Sequence, residues 1–247
     1  MLRRKPRKPR KPRVYRIPVE AYLIALGAAF ALSVAVSLLN RPEEARYDLP
    51  HAFGVRDPTF LPSVQATEGP SMVDGNRVEI LQNGDEIFPA MLAAIAAAKK
   101  SINFEAYIFW SDSAGTRFRD ALSERASHGV EVRLLLDGVG SAKRLSRGDV
   151  DILRRSGCRV EFFRPIRPWM LDVINRRSHR RILVVDGKVG FTGGVGIAKM
   201  WEGNADSPEH WRDTQVRLEG PAVAEMQSGF QENWAEVTGE LLVGEKF

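Results

Sequence analysis

The longest apolar stretch of the chain covers residues 21–39, nineteen positions without a charged side chain. As an α-helix this stretch is about 28 Å long, which approaches the roughly 30 Å hydrocarbon core of a bilayer. The pattern predicts one transmembrane helix over residues 17–40. A cleaved signal peptide is the alternative, although the length of the run and the lack of a small-x-small site before the polar flank favour an anchor.

Beyond residue 75, short apolar runs typical of strands alternate with longer segments typical of helices. The predicted strands cover residues 77–81, 101–110, 130–136, 159–163, 181–186, 189–192 and 214–218, and the predicted helices cover residues 86–100, 114–128, 147–156 and 221–237. We interpret Asn83, Gly84 and Asp85 as a turn and cap before the first of these helices. Strands that alternate with helices predict an α/β fold with a sheet covered on both sides. Residues 41–75 contain five prolines and little periodicity, which predicts a linker.

The charge of the chain is unevenly distributed. Nine of the 36 basic residues lie in residues 1–16, and the remainder has 27 basic against 31 acidic residues, a net charge of −4. The Arg-Lys-Pro repeats at the start predict a disordered basic arm, because like charges repel and proline breaks helices. The arm is expected to be attracted to an anionic membrane surface, or to serve only as an orientation signal.

The same asymmetry predicts the topology. The positive-inside bias places the arm in the cytoplasm and the body on the opposite, periplasmic or extracellular, side of the cell membrane, as a single-pass protein. The mildly acidic body disfavours strong electrostatic binding of nucleic acid.

Metal-binding side chains are sparse. The only cysteine, Cys158, cannot form an intramolecular disulfide or a sulfur-based metal site, and is most simply a small core residue. His51, His128 and His210 are scattered along the chain. The sequence therefore predicts no metal and no cofactor.

The most informative stretch for chemistry surrounds His179. Residues 181–186 predict a short buried strand, and alternation along it puts His179 on the same face as Arg181 and Asp186 on the other face. A neutral imidazole is a competent nucleophile or base, and a guanidinium can hold phosphoryl oxygens bidentately. The pair therefore suits attack on a phosphate ester, although a structural histidine is the alternative.

Several ordered blocks resemble the phospholipase D superfamily, and most closely its bacterial cardiolipin synthase branch. The central block, His179-x-Arg181-x4-Asp186 followed by Gly193-Gly194, is similar to the H-x-K-x4-D signature of that family. The other blocks are residues 104–107 (FEAY), 132–138 (VRLLLDG), 210–213 (HWRD) and 220–223 (GPAV), with Phe230 and Trp234 after them. The resemblance implies a phospholipase D-like α/β domain over residues 76–247, with a mixed β-sheet flanked by helices, as one half of the usual pair.

The resemblance also implies a mechanism. His179 would attack the phosphodiester phosphorus to form a covalent phosphohistidine, and a second histidine would protonate the leaving alcohol. An acceptor alcohol or water would then resolve the intermediate, without a metal or cofactor. The implied protein is a membrane-anchored phosphatidyltransferase of cardiolipin synthase type, with anionic phospholipid and the membrane as its partners.

Four further residues are candidates for binding or support. Gly193 and Gly194 would bring backbone N–H groups close to a phosphate, or form an ordinary turn. Asp213 matches an acidic residue that could orient a catalytic histidine, the alternative being an exposed loop carboxylate. Glu105 lies in an apolar strand and either supports the site or pairs with an arginine such as Arg133. Asp186, which faces away from His179, is assigned to hydrogen bonding in the adjoining turn.

The chain departs from the family pattern in three ways. Arg181 stands where the family has lysine, and its larger planar group can displace the phosphorus, which predicts reduced activity. Gly196 stands where many members have asparagine. One signature is present where single-chain members carry two, so either two copies pair as a homodimer to complete the site, or the chain is a truncated, inactive half-enzyme that binds lipid. A dimeric phosphodiesterase acting on nucleic acid is the other enzyme hypothesis.

Overall fold

A computed structural model of the protein describes residues 18–39, 54–63, 72–165 and 177–244. The chain forms two compact units, Met1–Leu61 and Pro62–Phe247. The predicted basic arm lies outside the described residues, and so does most of the predicted linker.

The first unit contains helix α1, Val19–Leu39. Its segment Val19–Val36 has a mean hydropathy of 2.0 and no buried residue, so its length and composition allow it to cross a membrane. The helix lies inside the predicted span of residues 17–40. Large apolar side chains such as Leu23 and Phe30 are exposed on it, as on a helix whose surroundings are lipid.

The second unit is built on a sheet that has seven strands within the described residues. The strands are β1 (Arg77–Gln82), β2 (Ser101–Ala106), β3 (Glu131–Asp137), β4 (Arg159–Phe163), β5 (Ile182–Val185), β6 (Val189–Gly193) and β7 (Thr214–Glu219), in the order β1-β7-β6-β5-β2-β3-β4. The helices are α2 (Asn83–Ala97), α3 (Ser113–Ser127), α4 (Arg147–Arg155) and α5 (Ala222–Thr238). Strands β2, β3 and β4 are parallel and the other pairs antiparallel, which confirms the predicted mixed sheet.

Both faces of the sheet are covered, as the continuous apolar strands predicted. Side chains alternate along β5, so that Leu183 packs into the core shared with α2, α3 and α4, whereas Ile182 and Val184 pack into the core under α5. Phe230 and Trp234 of α5 are fully buried against that second face. Burial of each such aromatic side chain contributes roughly 2 to 3 kcal/mol of hydrophobic stabilisation.

The predicted start of α2 is wrong by three residues. The helix begins at Asn83 instead of after Asp85, because Gln82 is the N-cap and the Glu86 carboxylate accepts the N–H of Gln82 at 2.8 Å. Gly84 therefore lies inside the helix. A side chain there would overlap the carbonyl oxygen of Trp201, so glycine permits this close approach.

Two further boundaries in the second unit differ from the prediction by three or more residues, and the others in that unit by at most one. Helix α2 ends at Ala97 and not at residue 100, because the backbone N–H groups of Lys99 and Lys100 are taken by the Asp186 carboxylate. Strand β2 ends at Ala106 and not at residue 110. Beyond Ala106 the chain pairs through an isolated parallel bridge between Phe109 and Ile197, and the Phe109 N–H donates to Ser141 Oγ at 3.0 Å.

Candidate active site

Most of the candidate residues lie at one edge of the sheet, where β2 and β6 end and β5 and β7 begin. Strands β2 and β6 both run antiparallel to β5, so their C-terminal ends lie beside the start of β5, where Glu105 and Thr192 are opposite Ile182. The start of β7 is next to the end of β6, through the pair Gly193 and Gln215. The segment that carries His179 and Arg181 enters the sheet at this edge.

The structure brings His179 and Arg181 together, as the alternation of faces predicted. Arg181 Nη1 lies 3.2 Å from His179 Nδ1, and Arg181 Nη2 lies 3.1 Å from His179 Nε2. A neutral imidazole has one acceptor nitrogen and an imidazolium has none, so at most one of these contacts is a hydrogen bond. The arrangement therefore favours the neutral ring. Tyr107 supports it from the side, with ring centroids 4.7 Å apart.

The electrostatic environment of His179 and Arg181 also favours the neutral imidazole. Partial burial, and then the charge of Arg181, lower the pKa of His179, and the carboxylate of Asp137 opposes them. Burial also lowers the pKa of Arg181, against the effects of Asp213 and Tyr107. The histidine is thus held in the unprotonated form that a nucleophile requires.

His179 is exposed and opens onto a cleft of about 260 Å³. The described residues that line this cleft are Phe163, Arg164, Arg177, Ser178, His179, Arg180 and Asn233. Three of them are arginines, and each forms an ion pair with a carboxylate: Arg164 with Glu236, Arg177 with Asp137 and Arg180 with Glu232. Guanidinium groups can bind phosphate, so a phosphate in the cleft would compete with these carboxylates. None of the three arginines was among the predicted site residues.

Glu105 lies directly behind the histidine segment. It is 2% exposed, and one carboxylate oxygen accepts hydrogen bonds from Ser178 Oγ and from Asn233 Nδ2, the latter at 2.7 Å. The other oxygen has no hydrogen-bond partner among the described residues. Burial raises the pKa of Glu105 to about 7, despite these hydrogen bonds.

The alternative pairing of Glu105 with Arg133 is wrong. Arg133 donates instead to Glu131 and to Asn103 Oδ1, at 3.1 Å in the second case. Glu105 contacts Ser178, the residue that immediately precedes His179, so it is placed to support the site.

Asp213 is half-buried and hydrogen-bonded, which disagrees with an exposed loop carboxylate. Its Oδ2 accepts from Trp201 Nε1 at 2.9 Å, and its Oδ1 accepts the N–H of Thr214 at 2.8 Å. Its charge also acts on Arg181, whose pKa it raises. The role of orienting a histidine stays a prediction.

Packing explains the glycines at positions 193 and 194, which the sequence alone did not show. A side chain at 193 would overlap the Thr214 carbonyl, and one at 194 would overlap the Asp213 carboxylate. The two glycines thus let the start of β7 lie close to the end of β6. Whether their N–H groups bind phosphate stays a prediction.

The structure does not bring Asp186 to the other signature residues. It follows the far end of β5, five residues or roughly 16 Å along the strand from Arg181. Its carboxylate accepts the backbone N–H groups of Lys99, Lys100 and Ser101 at 2.7–2.9 Å. Its hydrogen bonds thus reach the segment between α2 and β2, whereas the prediction placed them in the adjoining turn.

Replacing Asp186 by alanine is expected to lower the free energy of unfolding by about 2 kcal/mol, because three backbone donors lose a charged acceptor. Asparagine keeps an acceptor oxygen and tolerates the positive φ of 53° at this position, so Asp186→Asn should lose less than half as much. Urea unfolding of the full chain in detergent measures both. Equal losses in the two variants would contradict this role.

Comparisons of sequence and fold find similar known proteins. The profile of the family described as "Cardiolipin synthase, PLD-like domain" matches residues 91–234. Cardiolipin synthase 1 of Bacillus cereus is 38% identical over 179 residues, which cover 72% of this chain and 35% of that protein. The probable cardiolipin synthase YwiE of Bacillus subtilis is 36% identical over 172 residues, which cover 69% and 34%. The chain spans about a third of the length of these curated relatives.

Two solved structures share the fold. Nuc from Salmonella typhimurium, a phospholipase D family member, aligns with a TM-score of 0.51 at 19% identity and covers 66% of this chain and 97% of that one. NucT from Helicobacter pylori aligns with a TM-score of 0.52 at 14% identity and covers 66% and 98%.

Proposed function

Because this chain belongs to the cardiolipin synthase, PLD-like domain family of the phospholipase D superfamily, we propose that it is a membrane-anchored phosphatidyltransferase of cardiolipin synthase type. The observation that carries the proposal is the pair of a neutral His179 and Arg181 at the mouth of an arginine-lined cleft. A nucleophile beside the forked donors of a guanidinium suits a phosphodiester.

In the proposed reaction a ring nitrogen of His179 attacks phosphorus, and Arg181 holds two phosphoryl oxygens. The P–N bond forms as the P–O bond to the leaving alcohol breaks, and that alcohol takes a proton from a second histidine. The hydroxyl of the acceptor alcohol then attacks phosphorus, returns a proton to the second histidine and releases His179. Phosphate binding draws the Arg181 guanidinium from the imidazole to the substrate oxygens, which frees the attacking nitrogen.

The second histidine is proposed to be His179 of another copy of this chain, in a homodimer that completes the site. An isologous interface brings the same residue of both copies to one axis, so one contact can supply both roles. Gly193, Gly194, Asp213 and Glu105 are proposed to support the pair from β2, β6 and the start of β7. Asp186 holds the fold at the other end of β5.

The membrane part of the proposal rests on α1. The helix is the single membrane anchor, residues 1–16 are a basic arm on the cytoplasmic side, and residues 41–75 are a linker. Residues 76–247 then lie on the opposite side as the catalytic domain. Nine basic residues near an anionic surface add attraction of about 1 kcal/mol each at that surface.

The test is a transfer assay with the full chain in vesicles that contain phosphatidylglycerol. We expect cardiolipin to form and one glycerol to be released for each cardiolipin, both measured by mass spectrometry. A parallel reaction replaces the lipid substrate by single- or double-stranded DNA at increasing salt. Cleavage of DNA with a steep salt dependence would contradict the lipid substrate, and the absence of turnover on both substrates would favour the inactive half-enzyme.

A further inference from the structure

Two of the buried polar atoms near the site that have no hydrogen-bond partner among the described residues are a donor and an acceptor. One is Nε of Arg181, which carries a donor hydrogen, and the other is Oε1 of Gln215, which is an acceptor. Gln215 is 1% exposed. A buried donor or acceptor that stays unpaired costs about 1 to 3 kcal/mol, so a donor and an acceptor in one region are expected to satisfy each other.

The sheet register places these two side chains in one row. Ile182 is opposite Thr192, and Gly193 is opposite Gln215. Arg181 immediately precedes β5, so continuing the register by one residue beyond the last observed pair would set Arg181 opposite Gly193. Directly opposite residues share a face of the sheet, and Arg181 and Gln215 therefore flank Gly193 on one face. Their Cα atoms are two strand spacings apart, roughly 10 Å. Two long side chains that lean towards each other can cover this separation.

Gly193 leaves room for the approach. The amide oxygen of Gln215 would lie only 2.4 Å from a Cβ atom at position 193, so the amide packs over the glycine. A side chain at 193 would remove this space. The glycine thus serves the row of Arg181 and Gln215 as well as the packing of β7.

The nearest carboxylate is already engaged. Asp213 acts electrostatically on Arg181, but its two oxygens accept from Trp201 and from the N–H of Thr214. The two terminal nitrogens of Arg181 face His179. Glu105 also has an unpaired oxygen, but Glu105 is opposite Ile182 and so belongs to the other face of the sheet from Arg181. The oxygen of Gln215 is then the acceptor left for the Nε–H.

We propose that Gln215 is the positioning residue for Arg181, through one water molecule that accepts the Nε–H of Arg181 and donates to the Gln215 amide oxygen, because no direct hydrogen bond joins these two atoms. The contact fixes the guanidinium so that its two terminal nitrogens form the edge that meets the phosphate. The catalytic consequence rests on the proposed function, whereas the contact itself does not. The contact would also explain how this site accommodates an arginine where the family has lysine, since a lysine carries its donors only on the terminal nitrogen and has no inner N–H like that of Nε.

A double-mutant cycle tests the proposal in the full chain in phosphatidylglycerol vesicles. Gln215→Met keeps the length of the side chain and removes the acceptor, and we expect it to lower kcat about tenfold with Arg181 present. In the Arg181→Lys background the same substitution should change kcat less than about twofold, because the inner donor is gone. Gln215→Glu retains an acceptor and should restore most of kcat. Equal losses in both backgrounds would show a packing role and overturn the proposal.

A second readout is independent of turnover. In ¹⁵N spectra of the full chain, the Nε–H of Arg181, assigned by its loss in Arg181→Lys, should exchange slowly with solvent and should exchange faster in Gln215→Met. Where that variant fails to fold, Gln215→Glu should shift the Nε–H resonance downfield. An Nε–H that neither variant affects overturns the proposal. Slow exchange of the Arg181 Nε–H in a chain without transferase activity would support the contact and reject only the proposed function.

Discussion

Replacing His179 by alanine is expected to reduce phosphatidyl transfer by at least about a thousandfold, because the variant lacks the atom that bonds to phosphorus. The side chain is exposed at the mouth of the cleft, so its removal leaves the core intact and the variant should fold as the wild type does. Cardiolipin formation by the full chain in phosphatidylglycerol vesicles measures the loss. Mass spectrometry of peptides prepared without acid should also show a phosphorylated His179 peptide in the wild type and no phosphorylated peptide in the variant.

His128 provides a matched control for this prediction. It is an exposed histidine at the C-cap of α3, at the opposite end of the strands from His179, and the polar contacts of its side chain are with Glu124 and Ser127. His128→Ala should retain wild-type turnover. A His179→Ala variant that keeps more than about a tenth of the activity would reject the nucleophile role.

The pH dependence of transfer should reflect the same histidine. Burial and the charge of Arg181 lower its pKa, so the neutral ring persists to lower pH than an ordinary histidine. The acid limb of kcat/KM, which reports the free enzyme, is therefore expected below pH 6.5. An acid limb above that value would contradict the electrostatics of the pair.

The free energy of unfolding of Glu105→Gln is expected to exceed that of the wild type by about 3 kcal/mol at pH 8. The folded protein raises the pKa of Glu105 from 4.5 to about 7, so between these values the folded state binds more protons than the unfolded state. Stability from this group is present below pH 4.5, falls as the pH rises to 7 and is constant above it. Glutamine stays neutral throughout. The difference in the free energy of unfolding between the two proteins should therefore grow from pH 4.5 to pH 7.

Urea unfolding of both full chains in detergent, at pH 4.5 to 8, measures this difference. Glu209→Gln, at an exposed loop carboxylate, is the matched control and should follow the wild-type curve at every pH. A constant offset between Glu105→Gln and the wild type would mean that Glu105 does not titrate in this interval. Ser178 and Asn233 hold one oxygen of the group, so its ionisation also bears on the segment that carries His179.

The elements of the fold were predictable because their causes are local. The apolar run at Ile182–Val185 is a strand buried on both faces, and the alternation along it also predicted that His179 and Arg181 share a face. Cysteine and histidine spacing told little about the site, but several ordered blocks together identified the family. These signals depend on neighbours within a few residues.

The features that were predicted wrongly or not at all depend on contacts between residues that are far apart in the sequence. The end of α2 at Ala97 is set by Asp186, nearly ninety positions later, and no pattern near Lys99 shows that its N–H is taken. The partners of Glu105 come from the segment before β5 and from α5, which the fold alone brings together. The reason for Gly193 is likewise a neighbouring strand, not the turn that its sequence suggested.

The contact of the Arg181 guanidinium with both ring nitrogens of His179 bears on the resting protein. An alkylating or acylating reagent must displace the guanidinium before it reaches either nitrogen, so the imidazole is shielded from adventitious electrophiles. An anion such as a phosphodiester removes that shield by drawing the guanidinium to itself. Reactivity is thereby linked to the presence of the substrate, and inorganic phosphate should make His179 more susceptible to modification instead of protecting it.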